Sequence, residues 1–265
     1  MALDQSTFLG SLGFSENPFT MTNADEEPEL QSYFVPPPYF ASVLGDPARP
    51  KSAVVFAPRG GGKTAQKVMI EKASASESLG RFLCITYDTF LLPGDFSVDS
   101  ATVEWHLTNV TKRLIAALLI SLDEIDPDSS ALSQQDKNTL AKTASSFLSQ
   151  MDEAEFRETI RSLRNWRGDL DFYWEKYGGK IVNLISAVAT KFEFGRIDSF
   201  AERERTRNTY VDYLKQLIGV SKKIGFDSVY ILVDRIDETA LTSNNIRNSF
   251  DFIKSILVYL HVLEL

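Results

Sequence analysis

Three consecutive glycines, Gly60, Gly61 and Gly62, constrain the fold of this chain more than any other feature of its sequence. They follow a short apolar run, Ala53-Val54-Val55-Phe56, which is typical of a buried parallel strand. The segment after them, 64–70, has the composition of a helix. Glycine has no Cβ, so these positions allow the backbone to turn sharply and to aim successive N–H groups at one point. The sequence therefore predicts a strand, a tight anion-binding loop and a helix.

The residues around the glycines fit the Walker A pattern of phosphate-binding loops, with Ala57 in place of the usual first glycine. In such a loop the Lys63 ammonium would reach the β- and γ-phosphates, and the Thr64 hydroxyl would bind Mg²⁺. A glycine-rich turn without a ligand is the alternative, but three adjacent glycines cost backbone entropy that nothing local offsets. The predicted nucleotide-binding residues are Arg59, Gly60, Gly61, Gly62, Lys63 and Thr64.

A second stretch, 227–238, would complete the site. Its apolar residues predict a buried strand that ends at Asp234, and open α/β sheets bind ligands at this edge. This is the Walker B arrangement, in which an aspartate holds the Mg²⁺ that bridges the phosphates. We therefore predict that the metal ligands are Thr64 and Asp234, and that the two side chains meet although they are far apart in the chain.

The acids that follow resemble those of one group of P-loop ATPases. Arg235 stands where most AAA-type ATPases carry a glutamate, and Asp237 and Glu238 follow Asp234 three and four residues later. This spacing resembles the STAND group, which includes NACHT-type modules, and its origin-recognition-like relatives. An Asn-Pro-Phe leader at 17–19 and an Asp-Arg-x-Asp-Glu strand resemble a bacterial family of such ATPases. The resemblance implies that Asp237 or Glu238 is catalytic and polarises the attacking water; the alternative is that the pair caps a helix.

The resemblance covers about a third of the chain and implies an α/β fold. The expected architecture is a P-loop NTPase three-layer parallel sheet with a large all-helical insertion. It would be truncated at the C-terminus, because the related ATPases carry a further strand after this point, and the sequence would then be a fragment of a longer protein. We expect an N-terminal arm, 1–50, that packs near the nucleotide base. The P-loop NTPase core would comprise 51–96 and 226–265, and it would be incomplete. The helical insertion would span 97–225.

Hydrophobic spacing predicts the individual elements. A strand is predicted at 81–88, and apolar residues at helical spacing predict a helix from Val103 to at least Leu118. Arg157, Arg161 and Arg164 recur at helical spacing, but interleaved acids favour a solvated helix face over a phosphate-contacting stripe. Further helices are predicted at about 131–150, 152–166, 170–191, 199–224 and 249–265.

Composition limits the class of protein. With 265 residues, a net charge of −8 and 43% hydrophobic residues, the chain has the composition of a soluble globular protein without a broad cationic surface. Its single cysteine, Cys84, precludes an internal disulfide and is typical of a reducing compartment. No signal peptide or membrane-spanning run is visible, so we expect a cytoplasmic location and no membrane partner.

These features predict an ATP-binding and ATP-hydrolysing P-loop NTPase that uses ATP and Mg²⁺ and acts as a nucleotide-dependent switch. The resemblance implies a setting in bacterial signalling or defence and a preference for adenine. Turnover by residues 1–265 alone is expected to be slow or absent, because no arginine can be assigned to the transition state. Two alternatives stay open, a regulatory or assembly module with little turnover and a DNA-associated ATPase. Expected partners are a homo-oligomer or an effector domain or protein, and nucleic acid is left open.

Overall fold

The computed structural model describes residues 5–13, 23–76, 79–89, 103–163, 170–194 and 207–235. These residues form a mainly helical protein around a two-stranded sheet. Strand β1 (Phe82–Tyr87) pairs in parallel with strand β2 (Ser228–Val233), and Phe82 lies opposite Ser228. Both strands lie where the sequence predicts them.

Helices make up about half of the described residues before β1 and most of those after it. The helices before β1 are α1 (Gln5–Ser11), α2 (Leu30–Tyr33), α3 (Phe40–Leu44) and α4 (Lys63–Ser76), and a 3₁₀ turn spans Ala24–Glu26. Those between the strands are α5 (Val103–Glu124), α6 (Gln134–Leu148), α7 (Glu153–Arg161), α8 (Leu170–Lys176), α9 (Ile181–Lys191) and α10 (Arg207–Lys223), with a second 3₁₀ turn at Pro127–Ser129. Within the described residues between the strands, helices lie where the sequence predicts them. The predicted helix 170–191 is divided at Gly178 and Gly179, which both have positive φ, and the helix predicted at 249–265 lies outside the described residues.

The predicted P-loop NTPase three-layer parallel sheet is wrong. The sheet of the described residues has only two strands, and the segment 51–58 before the glycines is not one of them. Val54 is 41% exposed and Phe56 is 80% exposed, so this apolar run does not lie in the core. A short apolar run has no alternation that reveals which face is buried, and its composition alone suggested a buried strand. The described residues instead form a helical assembly with a two-stranded parallel sheet.

The two faces of β1 pack against different elements. Leu83, Ile85 and Tyr87 belong to the main core, together with α5, α6 and α10. Phe82 and Cys84 point to the other face, where they pack with residues of α3 and α4. This alternation follows from strand geometry, in which successive side chains point to opposite faces. Because both faces are covered, β1 is fully buried, and it is a rigid support for the residues at its carboxyl end. The Cys84 thiol is buried on this second face.

Helix α5 is the centre of the main core. Its 22 residues include an apolar run, Leu114–Leu119, in which every side chain is fully buried. Helices α6, α7, α9 and α10 and strand β1 all contact α5, so its apolar surface is covered by protein. Among the described helices, none combines the length and the apolar character needed to cross a bilayer.

The start of helix α6 provides a test of local stability. The Ser133 side chain accepts a hydrogen bond from the Asp136 N–H, and Asp136 Oδ2 accepts one from the Ser133 N–H at 2.8 Å, which forms a capping box. Replacing Ser133 by Ala leaves backbone donors of the first turn without this acceptor, so we expect Ser133→Ala to lower the free energy of unfolding by about 1 kcal/mol. Urea denaturation would measure the change. Ser149→Ala, at the exposed other end of the same helix, is the control and should change stability by much less; equal losses would contradict the capping role.

Candidate functional site

The glycine-rich loop has the backbone conformation that its sequence predicts. Gly60 and Gly62 have φ of +78° and +75°, a region that residues with a Cβ rarely adopt. A Cβ on Gly61 would lie 2.9 Å from the Pro58 carbonyl oxygen, so this position also requires glycine. The loop leads directly into α4, where the Gln66 N–H donates to the Gly62 carbonyl at 3.0 Å. The result is a compact turn at the start of a 14-residue helix, where N–H groups and the positive end of the helix dipole favour an anion.

The two polar side chains that open α4 point to different partners. The Lys63 Nζ donates to the carbonyl oxygen of Ala57 at 2.8 Å, so the lysine lies back across the loop. The Thr64 Oγ1 donates to Asp234 Oδ2 at 3.2 Å. This bond joins residues separated by 170 positions in the sequence. Arg59 lies in the exposed turn that precedes the glycines.

Asp234 follows β2 directly, and its carboxylate is held from two sides. Its Oδ1 accepts the backbone N–H of Arg235 at 2.9 Å, while its Oδ2 accepts the Thr64 hydroxyl. Its own N–H donates to the carbonyl oxygen of Tyr87, at the end of β1. Arg235 has a φ of +57°, a strained value for a residue other than glycine, and such strain is common at binding sites. The strand ends therefore fix the position and the orientation of the Asp234 side chain.

Lys67 is a member of the site that the sequence analysis missed. It lies one turn after Lys63 and Thr64 on α4 and is only 7% exposed. Its Nζ is 2.9 Å from Asp25 Oδ1, 2.9 Å from Asp88 Oδ2 and 3.7 Å from Asp234 Oδ2. Burial by itself lowers the pKa of Lys67, but the surrounding carboxylates, Asp88 foremost, raise it above its ordinary value. The side chain is therefore a buried ammonium among three aspartates.

Two aspartates beside Lys67 connect separate parts of the chain. Asp88 follows β1, and although burial opposes ionisation, Lys67 holds the pKa of Asp88 below its usual range. Asp25 belongs to the 3₁₀ turn of the N-terminal arm, and its side chain is 4% exposed. Its Oδ2 accepts a hydrogen bond from the Arg235 guanidinium. The spacing of Lys67 from Thr64, three residues on a helix, could have suggested that the two share a face, but nothing in the sequence pointed to Asp25.

The arm makes two further contacts with α4. The Gln66 Nε2 lies 3.3 Å from the Tyr39 hydroxyl, and the Lys72 Nζ lies 3.5 Å from the Pro28 carbonyl oxygen. Together with the Asp25 contacts, they hold residues 23–45 against the helix that follows the glycine loop. Whether this arm packs near a nucleotide base stays a prediction.

A polar cavity of about 200 Å³ lies beside the Lys67 cluster. Lys67, Asp25, Asp88 and Arg235 line it, and Arg161 reaches it from α7. The Arg161 side chain is 58% exposed and lies 3.9 Å from Glu158, and Arg157 stacks over the ring of Trp174. The arginines predicted to share one solvated face therefore have different surroundings, and Arg161 is the one beside the strand ends. Arg164 lies outside the described residues.

The predicted catalytic pair, Asp237 and Glu238, lies outside the described residues. Their role stays a prediction. Among the residues that the structure describes, no group of three or more His, Cys, Asp or Glu side chains is arranged to hold a metal ion. A cation at Thr64 and Asp234 would therefore need further oxygen ligands from phosphate and water, which is how Mg²⁺ is usually held with nucleotides.

Comparison of the chain with protein-family models, with curated proteins and with solved structures finds no match.

Proposed function

We propose that this chain binds ATP as its Mg²⁺ complex at the glycine loop, and that the nucleotide controls the conformation of the residues around Asp234. Lys63 and the N–H groups of the loop would bind the phosphates. Thr64 and Asp234 would hold the Mg²⁺, whose chemistry is to neutralise and bridge the phosphate oxygens. The preference for adenine over guanine is part of the proposal and comes from the family resemblance alone.

The observation that carries the proposal is the hydrogen bond between Thr64 Oγ1 and Asp234 Oδ2, at 3.2 Å. A loop hydroxyl and a strand-end aspartate are the two protein groups that hold the metal in phosphate-loop nucleotide sites. A ligand-free glycine turn gives no reason for these two residues, 170 positions apart, to meet.

Lys63 supports the proposal in a second way. Its ammonium donates to a carbonyl of its own loop, 2.8 Å from Ala57 O. A phosphate is a stronger acceptor than a neutral carbonyl, since hydrogen bonds between ionised partners are shorter and about twice as strong. Binding would therefore draw Lys63 away from Ala57, and the loop would change with the presence of the phosphates. This exchange is the simplest form of the proposed switch.

Hydrolysis is the less direct part of the proposal. Asp237 or Glu238 would orient and deprotonate the attacking water, as the resemblance implies. Phosphoryl transfer is also accelerated by an arginine that stabilises charge in the transition state. Arg161 and Arg235 both lie beside the strand ends, but Arg235 is already paired with Asp25.

Titration of the protein with ATP and with GTP, each with Mg²⁺, tests the proposal. We expect ATP to bind and Lys63→Ala to weaken its affinity at least tenfold, because a hydrogen bond to a charged group is worth about 1.5–3 kcal/mol. Isothermal calorimetry would measure both dissociation constants.

Lys215→Ala is the matched control, since Lys215 is an exposed lysine on α10. It is far from the glycine loop in sequence and belongs to a different helix. It should bind ATP as the wild-type protein does. Failure of the wild-type protein to bind either nucleotide, or equal affinities of wild type and Lys63→Ala, would contradict the proposal. Stronger binding of GTP would reject only the adenine preference.

A further inference from the structure

We propose that Lys67 is the resident counter-cation of Asp234, and that it makes the site selective for the metal–nucleotide complex over the free cation. This inference rests on the proposed function, since it concerns the same carboxylate. The observation behind the inference differs from the one that carries the proposed function. It is the buried Lys67 ammonium with its three aspartates, and it does not involve the glycine loop.

The distances distinguish the partners of Lys67. Its Nζ donates a hydrogen bond to Asp88 Oδ2 at 2.9 Å and forms ion pairs with Asp25 Oδ1 at 2.9 Å and with Asp234 Oδ2 at 3.7 Å. Asp88 and Asp25 therefore hold the lysine most closely, and Asp234 interacts with its charge across a longer distance. A cation that binds Asp234 would meet an ammonium fixed close to it by two other carboxylates.

Electrostatics gives the consequence. A free divalent cation at Asp234 is repelled by the Lys67 ammonium at close range, in a partly buried setting where screening by salt is weak. A divalent cation bound to a triphosphate forms a complex with net negative charge, so the Lys67 ammonium does not oppose binding of the complex. Lys67 therefore weakens binding of the free cation at Asp234 and not binding of the metal–nucleotide complex.

The polar space beside the cluster leaves Lys67 with its carboxylates. Lys67, Asp25 and Asp88 all line this space of about 200 Å³. Because Asp25 and Asp88 already lie 2.9 Å from the Lys67 Nζ, the ammonium stays close to Asp234 when Asp234 meets a cation. The aspartates remain paired throughout, which keeps the cost of buried charge low.

Mn²⁺ binding in the absence of nucleotide tests this role. The electron paramagnetic resonance signal of free Mn²⁺ measures how much of the ion is bound. We expect weak binding by the wild-type protein and binding about tenfold tighter in Lys67→Met, which keeps the length of the side chain and removes its charge. Lys67→Arg keeps the charge and should bind Mn²⁺ as weakly as the wild type. Adding Asp234→Asn to Lys67→Met should abolish the gain.

Lys67→Met leaves buried aspartates without their cation and could fail to fold. The double variant Lys67→Met/Asp88→Asn removes one charge of each sign, so it avoids that cost, and it should still bind Mn²⁺ several-fold more tightly. Its matched control is Lys112→Met/Glu155→Gln, which removes another lysine–carboxylate pair, 3.0 Å apart between α5 and α7. The control should leave Mn²⁺ affinity unchanged.

Two outcomes would overturn the inference. One is unchanged Mn²⁺ affinity in the folded Lys67 variants, and the other is a gain that survives Asp234→Asn. Neither outcome depends on ATP, so ATP binding that responds to Lys63→Ala would still support the proposed function. Conversely, tighter Mn²⁺ binding in a protein that binds no ATP would keep Lys67 as the counter-cation of Asp234 and reject both the proposed function and the selectivity for a metal–nucleotide complex.

Discussion

Asp234→Asn is expected to remove the Mg²⁺ dependence of ATP binding. In the wild-type protein, ATP should bind about a hundredfold more tightly with Mg²⁺ than with a chelator, and the variant should bind equally under both conditions. The expected loss depends on one carboxylate oxygen, Oδ2 of Asp234. Oδ2 accepts the Thr64 hydroxyl and would lie beside the metal, and an amide supplies neither its full charge nor a second acceptor. Calorimetric titrations with excess Mg²⁺ and with excess chelator measure the difference.

The same strand offers a control for Asp234→Asn. Asp227 lies just before β2, at the opposite end, where its Oδ2 accepts the Arg81 N–H at 2.9 Å. Asp227→Asn makes the same chemical change 7 positions away and should leave the Mg²⁺ dependence as it is in the wild type. If Asp234→Asn still showed the full stabilisation of ATP binding by Mg²⁺, Asp234 would not hold the metal.

The second large effect is a loss of stability in mild acid. His106 is 2% exposed and its Nδ1 lies 2.6 Å from the Tyr87 hydroxyl. Burial lowers the pKa of His106 from 6.5 to about 4, and burial also raises the pKa of Tyr87, so a neutral ring and a neutral hydroxyl share this hydrogen bond. The unfolded chain takes up this proton near the ordinary pKa of 6.5 and the folded chain only near 4. Stability is therefore complete above the higher value and falls as the pH drops toward the lower one, by about 2 kcal/mol between pH 7 and pH 5.

Urea denaturation at the two pH values, for the wild type and for His106→Asn, tests this effect. Asparagine places an acceptor oxygen near the position of Nδ1 and does not titrate, so the variant should lose little stability between them. The chain has two histidines, and His261→Gln, which changes the one outside the described residues, should keep the acid sensitivity. Some carboxylates, among them Asp88 and Asp136, have a lowered pKa. Their protonation therefore reduces stability only at a pH below the range from 7 to 5. An undiminished loss in His106→Asn would show that another group is responsible.

Much of the secondary structure could be predicted from local patterns. The apolar strands β1 and β2, the helical period of α5 and the backbone of the glycine loop all depend on neighbouring residues, and they lie where the sequence places them. The proximity of Thr64 and Asp234 could also be predicted. In phosphate-loop nucleotide sites, a hydroxyl after the glycine loop and an aspartate after a strand hold the same metal ion.

The rest depended on tertiary contacts that no local pattern encodes. Whether the run 53–56 pairs as a strand depends on a neighbour, and its exposure in the structure shows that composition alone was insufficient. The Lys67 cluster brings together an arm residue, a helix residue and two strand ends, so its members have no common spacing. Lys67 and Asp25 would have been counted as ordinary surface charges, and only their burial reveals them as a paired network.

The central claim is that Thr64 and Asp234 act together on a single metal–nucleotide complex. A double-mutant cycle on the affinity for ATP with Mg²⁺ tests it most directly, with Thr64→Val, Asp234→Asn and the variant that carries both. If the two side chains hold the same cation, either single change already removes it, and the double variant should bind no more weakly than the weaker single one. Losses that simply add, or single variants that bind as the wild type does, would show that the two residues do not share a magnesium site.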